Sequence, residues 1–228
     1  MCFAPWASLL TFAIEIAMAA WILSRNPKKD LNRISSLILL LLGLYQFSEF
    51  RICTSADALF WGRMSHLAYT LLPALGIHWA LSLRRIKIKS RDLAWIYIFP
   101  AAWMLAVMLS TGFVNSAVCS AYFIQITYRW QELAFFAYGM YYSLFILAAM
   151  MLLLKGISNE NDLSRRKMLA WGLVGMMAFT LPTFLLIVLL PSLNIFFPSV
   201  LCDFALLFAI AVAYTVDLNE KIGKRKKG

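Results

Sequence analysis

Seven apolar stretches recur along the chain, at roughly Pro5–Leu23, Ile34–Cys53, Leu59–Leu83, Leu93–Gly112, Leu133–Leu154, Met168–Leu190 and Pro198–Asp217. Not one lysine lies inside them. Each is about 19 to 25 residues long, enough to cross a ~30 Å hydrocarbon core at 1.5 Å per residue. In hydrocarbon every backbone polar group needs an internal partner, so such stretches are helices. The expected fold is an all-α membrane protein, a seven-transmembrane helix bundle. Charge fixes its direction. Arg25, Lys28, Lys29 and Arg33 fall in the first connection, and Arg84, Arg85, Lys87, Lys89 and Arg91 in the third. Lys155, Arg165, Arg166 and Lys167 fall in the fifth, and Lys221, Lys224, Arg225, Lys226 and Lys227 in the tail. The other end keeps Arg51, Arg63 and Arg129. Basic loops stay in the cytoplasm, so the N-terminus is expected outside and the C-terminus inside a bacterial inner membrane.

The same reasoning disposes of the net charge of +10. It belongs to the inner rim, where basic side chains meet anionic headgroups of the lipid bilayer. Nucleic acid is not an expected partner. Trp6, Trp61, Trp95, Tyr97, Tyr128 and Trp130 sit near span ends, as an interfacial aromatic belt does. The first stretch has no basic leader and no small-residue cleavage site, and is read as a retained helix.

Cys2, Cys53, Cys119 and Cys202 all fall on or near the outer side of this layout. An oxidising outer space permits a Cys53–Cys119 bridge, from the top of helix 2 to the second outer loop. Four small buried thiols are the alternative. The outer loop 113–132 is long for a compact bundle. Within it Tyr122, Ile124, Ile126, Tyr128 and Trp130 alternate with other residues, a period-two strand pattern. With a turn at Asn115-Ser116, the reading is a short β-hairpin lying as a lid. The alternative is a loop whose aromatics rest among headgroups. Pro73, Pro100 and Pro182 fall inside helices 3, 4 and 6, each removing a backbone donor.

Ionisable groups inside a membrane are costly and point to function by default. Glu15 lies near mid-bilayer on a stripe with Ser8 and Thr11. With no basic residue at its depth, it is expected as a neutral acid donating to a carbonyl or hydroxyl on a facing helix. Glu49 near the outer end of helix 2, His66 with Tyr69 and Thr70 on helix 3, and Asp203 on helix 7 share one depth, roughly 5–10 Å below the outer surface. A polar pocket formed by Glu49, His66, Tyr69 and Asp203 is the candidate site for a small ligand of unknown identity. A structural network of buried polar groups is the alternative.

Metals and cofactors are not expected. His78 lies twelve residues from His66, ~18 Å along a helix, so the two cannot share a metal or supply the ligand pairs of a di-haem bundle. Retinal needs a bundle lysine. No HExxH, GxSxG, paired CxxC or phosphate-binding glycine loop is present, so the chain is read as a non-enzyme.

The run Tyr45-Gln46-Phe47-Ser48-Glu49, then Leu59-Phe60-Trp61-Gly62-Arg63-Met64-Ser65-His66-Leu67-Ala68-Tyr69, then Leu72-Pro73-Ala74-Leu75 and Trp79-Ala80-Leu81-Ser82, resembles helices 2 and 3 of the N-terminal seven-transmembrane sensor region of bacterial histidine kinases. Ser110-Thr111-Gly112 with Asn115, Arg165-Arg166-Lys167 and Asp203 fit the same pattern. The resemblance implies a sensor that binds a signal at its outer half. It implies a relay through helix 7 to a cytoplasmic or membrane signalling partner. Residues 1–217 form the sensor-like domain and 218–228 a basic cytoplasmic tail. The family's kinase and ATP-binding modules are not expected in so short a tail, which leaves a stand-alone version or a piece of a longer sensor. A homodimer is compatible with this layout. A small proton-coupled transporter or channel using Glu15 is the other function class. No internal repeat supports it, and the apolar inner halves of the spans oppose it.

Overall fold

A computed structural model describes residues 5–110, 114–119, 124–128, 132–189 and 200–225; for 124–128, 132–135, 183–189 and 200–203 it describes the backbone alone. Among these residues the apolar stretches become seven helices: α1 (Pro5–Arg25), α2 (Asp30–Thr54), α3 (Ala58–Leu83), α4 (Ser90–Leu109), α5 (Glu132–Asn159), α6 (Leu163–Leu189) and α7 (Val200–Arg225). Four helical segments are long and apolar enough to cross a membrane: α1, α2, α4 and Phe136–Asn159 of α5. The described parts of α6 and α7 carry Arg165-Arg166-Lys167 and Asp217, Glu220 and Lys221. α3 carries Arg63, His66, Pro73 and His78. Pro73, Pro100 and Pro182 lie inside α3, α4 and α6.

The basic connections gather at one end of the bundle. Arg25 of α1 reaches Asp217 of α7 at 2.8 Å. Arg165 of α6 donates to the Leu83 carbonyl of α3, and the Arg84 side chain lies against Gly156 of α5. At the opposite end Trp6 of α1 meets Phe50 of α2, and the hairpin lies there too. These are called the basic end and the hairpin end below.

α3 is the centre of the bundle, packed against α2, α4 and α5. One apolar core fills the basic-end half, joining α1, α2, α3, α5, α6 and α7 around Ile22, Leu39, Leu75, Trp79, Leu153 and Val212. The indole of Trp79 is fully buried and donates to Ser35 Oγ at 3.0 Å. Two close approaches set the packing. On α2, Gly43 admits Phe12 and Ile16 of α1. On α6, a Cβ at Gly175 would fall 2.3 Å from the Ala211 Cβ of α7. α3 ends in a Schellman turn: Ile86 N–H donates to Leu81 O, Arg85 N–H donates to Ser82 O, and Arg85 takes the left-handed conformation at φ 58°.

The outside of the bundle is apolar. Trp6 is 70% exposed and Leu109 75%, and α4 also presents Trp95, Ile98, Phe99, Leu105 and Met108. Water does not tolerate a surface of this kind on a monomer.

Strands β1 (Val114–Cys119) and β2 (Ile124–Tyr128) pair antiparallel as a hairpin. Tyr122 and Trp130 of the expected strand lie outside the described residues. The expected turn at Asn115-Ser116 is corrected. Both residues belong to β1, where the register slips between Val114 and Ser116. An Asn-Ser pair serves a bulge as readily as a turn, because both leave one residue out of the ladder.

Candidate functional site

The site is built outward from His66, two turns before Pro73 in α3. His66 is fully buried. Its Nδ1 hydrogen-bonds the Tyr69 hydroxyl. The imidazole lies 4.5 Å from the Tyr69 ring and 5.0 Å from the Tyr138 ring of α5. Thr70 donates to the His66 carbonyl at 2.7 Å. A hydroxyl has one proton to give, so in the 2.9 Å bond between Thr70 and Tyr138 the tyrosine is the donor. Tyr141 donates to the Thr70 carbonyl at 2.7 Å. Pro73 leaves the neighbouring Tyr69 carbonyl without its helical donor, and this side-chain bond stiffens the turn beside it.

Aromatic rings extend the cluster to α2, α4 and α5. Tyr45 of α2 meets Tyr69 edge-on at 5.9 Å, Trp103 of α4 meets Tyr138 at 5.3 Å, and Tyr142 of α5 lies 6.3 Å from Tyr69. Edge-to-face pairs contribute about 0.5–1.5 kcal/mol each beyond burial. Hydrogen bonds between membrane helices add about 0.6 kcal/mol apiece. The result is a stiff polar and aromatic knot binding α2, α3, α4 and α5 near the hairpin end.

The hairpin roofs this knot. Cys53, at the end of α2, and Cys119, at the end of β1, form a disulfide with Cα atoms 5.1 Å apart. Val114 and Ala117 of β1 are buried against Ile52 and Val107, with Trp61 and Trp103 beside them. Gly62 makes room, since a Cβ there would lie 3.0 Å from the Ala117 Cβ. Trp103 therefore touches the hairpin's packing and Tyr138 at once.

Of the expected site residues, Glu49 is buried on α2. The pairings Tyr45–Tyr69 and Ser35–Trp79 share one antiparallel register. That register sets Glu49 level with Ser65, next to His66. Asp203 lies in the first turn of α7, and its side chain lies outside the described residues, as does Ser199. Glu15 is 0% exposed on α1. Neither of its carboxyl oxygens has a hydrogen-bond partner among the described residues, where a facing carbonyl or hydroxyl was expected. Thr11, on the expected stripe, bonds the Ala7 carbonyl of its own helix instead. His78 stands apart, bonded to Tyr97 at 2.9 Å. Among the described residues no group of three or more His, Cys, Asp or Glu side chains could hold a metal.

Two features were not anticipated. Tyr138, Tyr141 and Tyr142 carry half of the knot; their 3–4 spacing places them on one helix face, and that spacing was the available signal. At the basic end, Arg25 binds Asp217 at 2.8 Å and Glu220 at 3.2 Å, while Lys221 binds Asp217 at 2.6 Å. The buried Asn32 amide donates to the Ile22 carbonyl and to Glu220. The hydrogen bond that Arg25 donates to Asp217, opposed by some loss of hydration and helped by the one it donates to Glu220, holds the guanidinium charged beyond its ordinary range. These contacts clamp the last turns of α7 to the α1–α2 connection.

Compared with known proteins, the chain matches no family model, no curated protein and no solved structure.

Proposed function

We propose that this chain is a seven-span sensor domain of a bacterial inner membrane, with the hairpin end outside and the basic end inside. In this reading a small signal acts at the knot around His66, with Glu49, Tyr69 and Asp203 as its polar contacts. The response passes along the bundle to α7, whose clamped end presents itself to a cytoplasmic or membrane partner. The observation that carries the reading is the arrangement of the two ends. A buried histidine cluster lies under a tethered hairpin at one end. An ion-paired clamp holds α7 at the other. Between them lies a packed apolar core joining α1, α2, α3, α5, α6 and α7, able to transmit displacement. The resemblance of helices 2 and 3 to histidine-kinase sensor regions points the same way.

Topology is tested by reporter fusions after Ala56 and Lys226, which report opposite sides of the membrane under this reading; a common side ends the seven-span arrangement. The relay is tested by hydrogen exchange in lipid nanodiscs. Tyr138→Phe removes the donor to Thr70, and it is expected to speed exchange both at the hairpin end and across 217–225. A change confined to the hairpin end rules out the relay.

Transport is the second reading, favoured by Glu15, whose two carboxyl oxygens have no hydrogen-bond partner among the described residues. In this reading a rearrangement of α1 exposes the carboxyl so that it takes and releases a proton. Proton-coupled flux in reconstituted vesicles decides it.

A further inference from the structure

Between the knot and α7 the bundle leaves a half-open pocket of about 30 Å³. Leu42 of α2, Pro73 and Gly76 of α3, Ile146 of α5, Met176 of α6 and Phe208 of α7 line it. Its origin is local. Pro73 and Gly76 sit three residues apart on the same side of α3, one unable to close the backbone ladder and the other without a side chain to fill the space. Five helices meet here, and among the described residues none fills the gap.

Chemistry restricts the occupant. A water needs two to four polar partners, and a cavity of this volume without them stays dry. Thr180, also on the wall, gives its proton to the Met176 carbonyl of its own helix at 2.7 Å. What remains is an apolar surface able to hold one small apolar molecule by dispersion contact. Its volume suits a diatomic gas or a single noble-gas atom.

We infer that this cavity is a binding site for one small apolar molecule of diatomic size, such as dissolved dioxygen. Resting on the sensor reading, the site has a position that gives occupancy a consequence. Tyr142 lines the same cavity and stacks near Tyr69 and Tyr138 of the knot. Phe208 lines it from α7, where it meets Trp79 at 5.9 Å. An occupant therefore touches the knot and the output helix at once.

Xenon is the probe, followed by its ¹²⁹Xe chemical shift with purified protein in lipid nanodiscs against empty nanodiscs. The parent chain is expected to give a saturable shift. Gly76→Ala is the matched variant. Its new Cβ meets Met176 Cε at 3.6 Å and Ala149 Cβ at 3.8 Å, ordinary contact distances, so the variant folds. The added methyl takes most of the free volume, and xenon binding should fall about tenfold or more. Thermal unfolding checks the fold, since alanine favours a helix over glycine. No saturable shift in the parent overturns the site, and so does an equal shift in folded Gly76→Ala. Either failure leaves the sensor reading standing, because that reading falls only on the topology and relay tests.

Discussion

Arg25, on the last turn of α1, and Asp217, on α7, lie 192 positions apart in sequence and 2.8 Å apart in space. Asp217 also holds Lys221, and Arg25 also holds Glu220 and stacks 4.1 Å over the Trp21 ring. The pair thus ties the first helix to the last at the end where a partner would read α7. If it acts as a clamp, Arg25→Gln and Asp217→Asn each loosen the same contact. Hydrogen exchange across 217–225 should quicken by a few-fold in either variant, and the double variant should go little further. Additive effects would mean that the two residues hold α7 through different partners.

The Cys53–Cys119 disulfide joins positions 66 apart and ties β1 to α2. Apart from it, β1 is anchored by the small apolar cluster of Ile52, Val107, Val114 and Ala117. Replacing both cysteines by serine should cost about 2–4 kcal/mol of stability, chiefly by freeing the unfolded chain. Thermal unfolding with and without a dithiol reductant measures it: the parent should drop toward the variant on reduction, and the variant should not move. All four cysteines titrating as free thiols in the unfolded, unreduced parent would rule the bridge out.

At Gly175 the backbone of α6 comes so near α7 that a Cβ would sit 2.3 Å from that of Ala211. That contact is backbone-borne and cannot turn aside. Gly175→Ala should therefore destabilise the bundle by about 1–3 kcal/mol despite alanine's better helix propensity. Ala211→Gly on the same chain should recover much of the loss. Failure of that rescue would place the close approach elsewhere.

Arg85 occupies the left-handed position of the α3 Schellman turn, which glycine fills without strain. Arg85→Gly should leave the turn intact and stabilise the chain by up to about 1 kcal/mol, read as a rise in unfolding temperature. A fall would show that the Arg85 side chain contributes more at the basic end than its backbone costs.

Much of this arrangement was legible in sequence. Seven helices followed from apolar length, because a backbone in hydrocarbon has few alternatives. The gathering of Arg25, Arg84, Arg165 and Lys221 at one end followed from charge. β2 was legible because Ile124 to Tyr128 keeps period two. β1 was not, because its bulge buries Val114 and Ala117 three residues apart and breaks that period. Tyr138 and Tyr142 were hidden for a different reason. A tyrosine in an apolar helix reads as a belt residue until its neighbours are known, and that Tyr138 lies between His66 and Trp103 depends on how α3, α4 and α5 pack. Asn32 and Glu220, 188 positions apart, carried no local signal at all.

Glu15 separates sensing from transport most directly. It is fully buried, and neither oxygen has a hydrogen-bond partner among the described residues. A polar group kept from water without a partner costs about 1–3 kcal/mol. If Glu15 has no task, Glu15→Met fills the same space with an apolar chain and should raise stability by roughly that amount. If it carries protons, the cost is retained for function. Glu15→Gln, which keeps the shape but cannot release a proton, should then abolish proton-coupled flux in vesicles. Flux in the parent that vanishes in Glu15→Gln would promote transport over sensing. No flux in the parent, with a more stable Glu15→Met, would leave the carboxyl as a burden on α1 and sensing as the function. A less stable Glu15→Met without flux would reveal a partner for the carboxyl, and a structural place for it in the bundle.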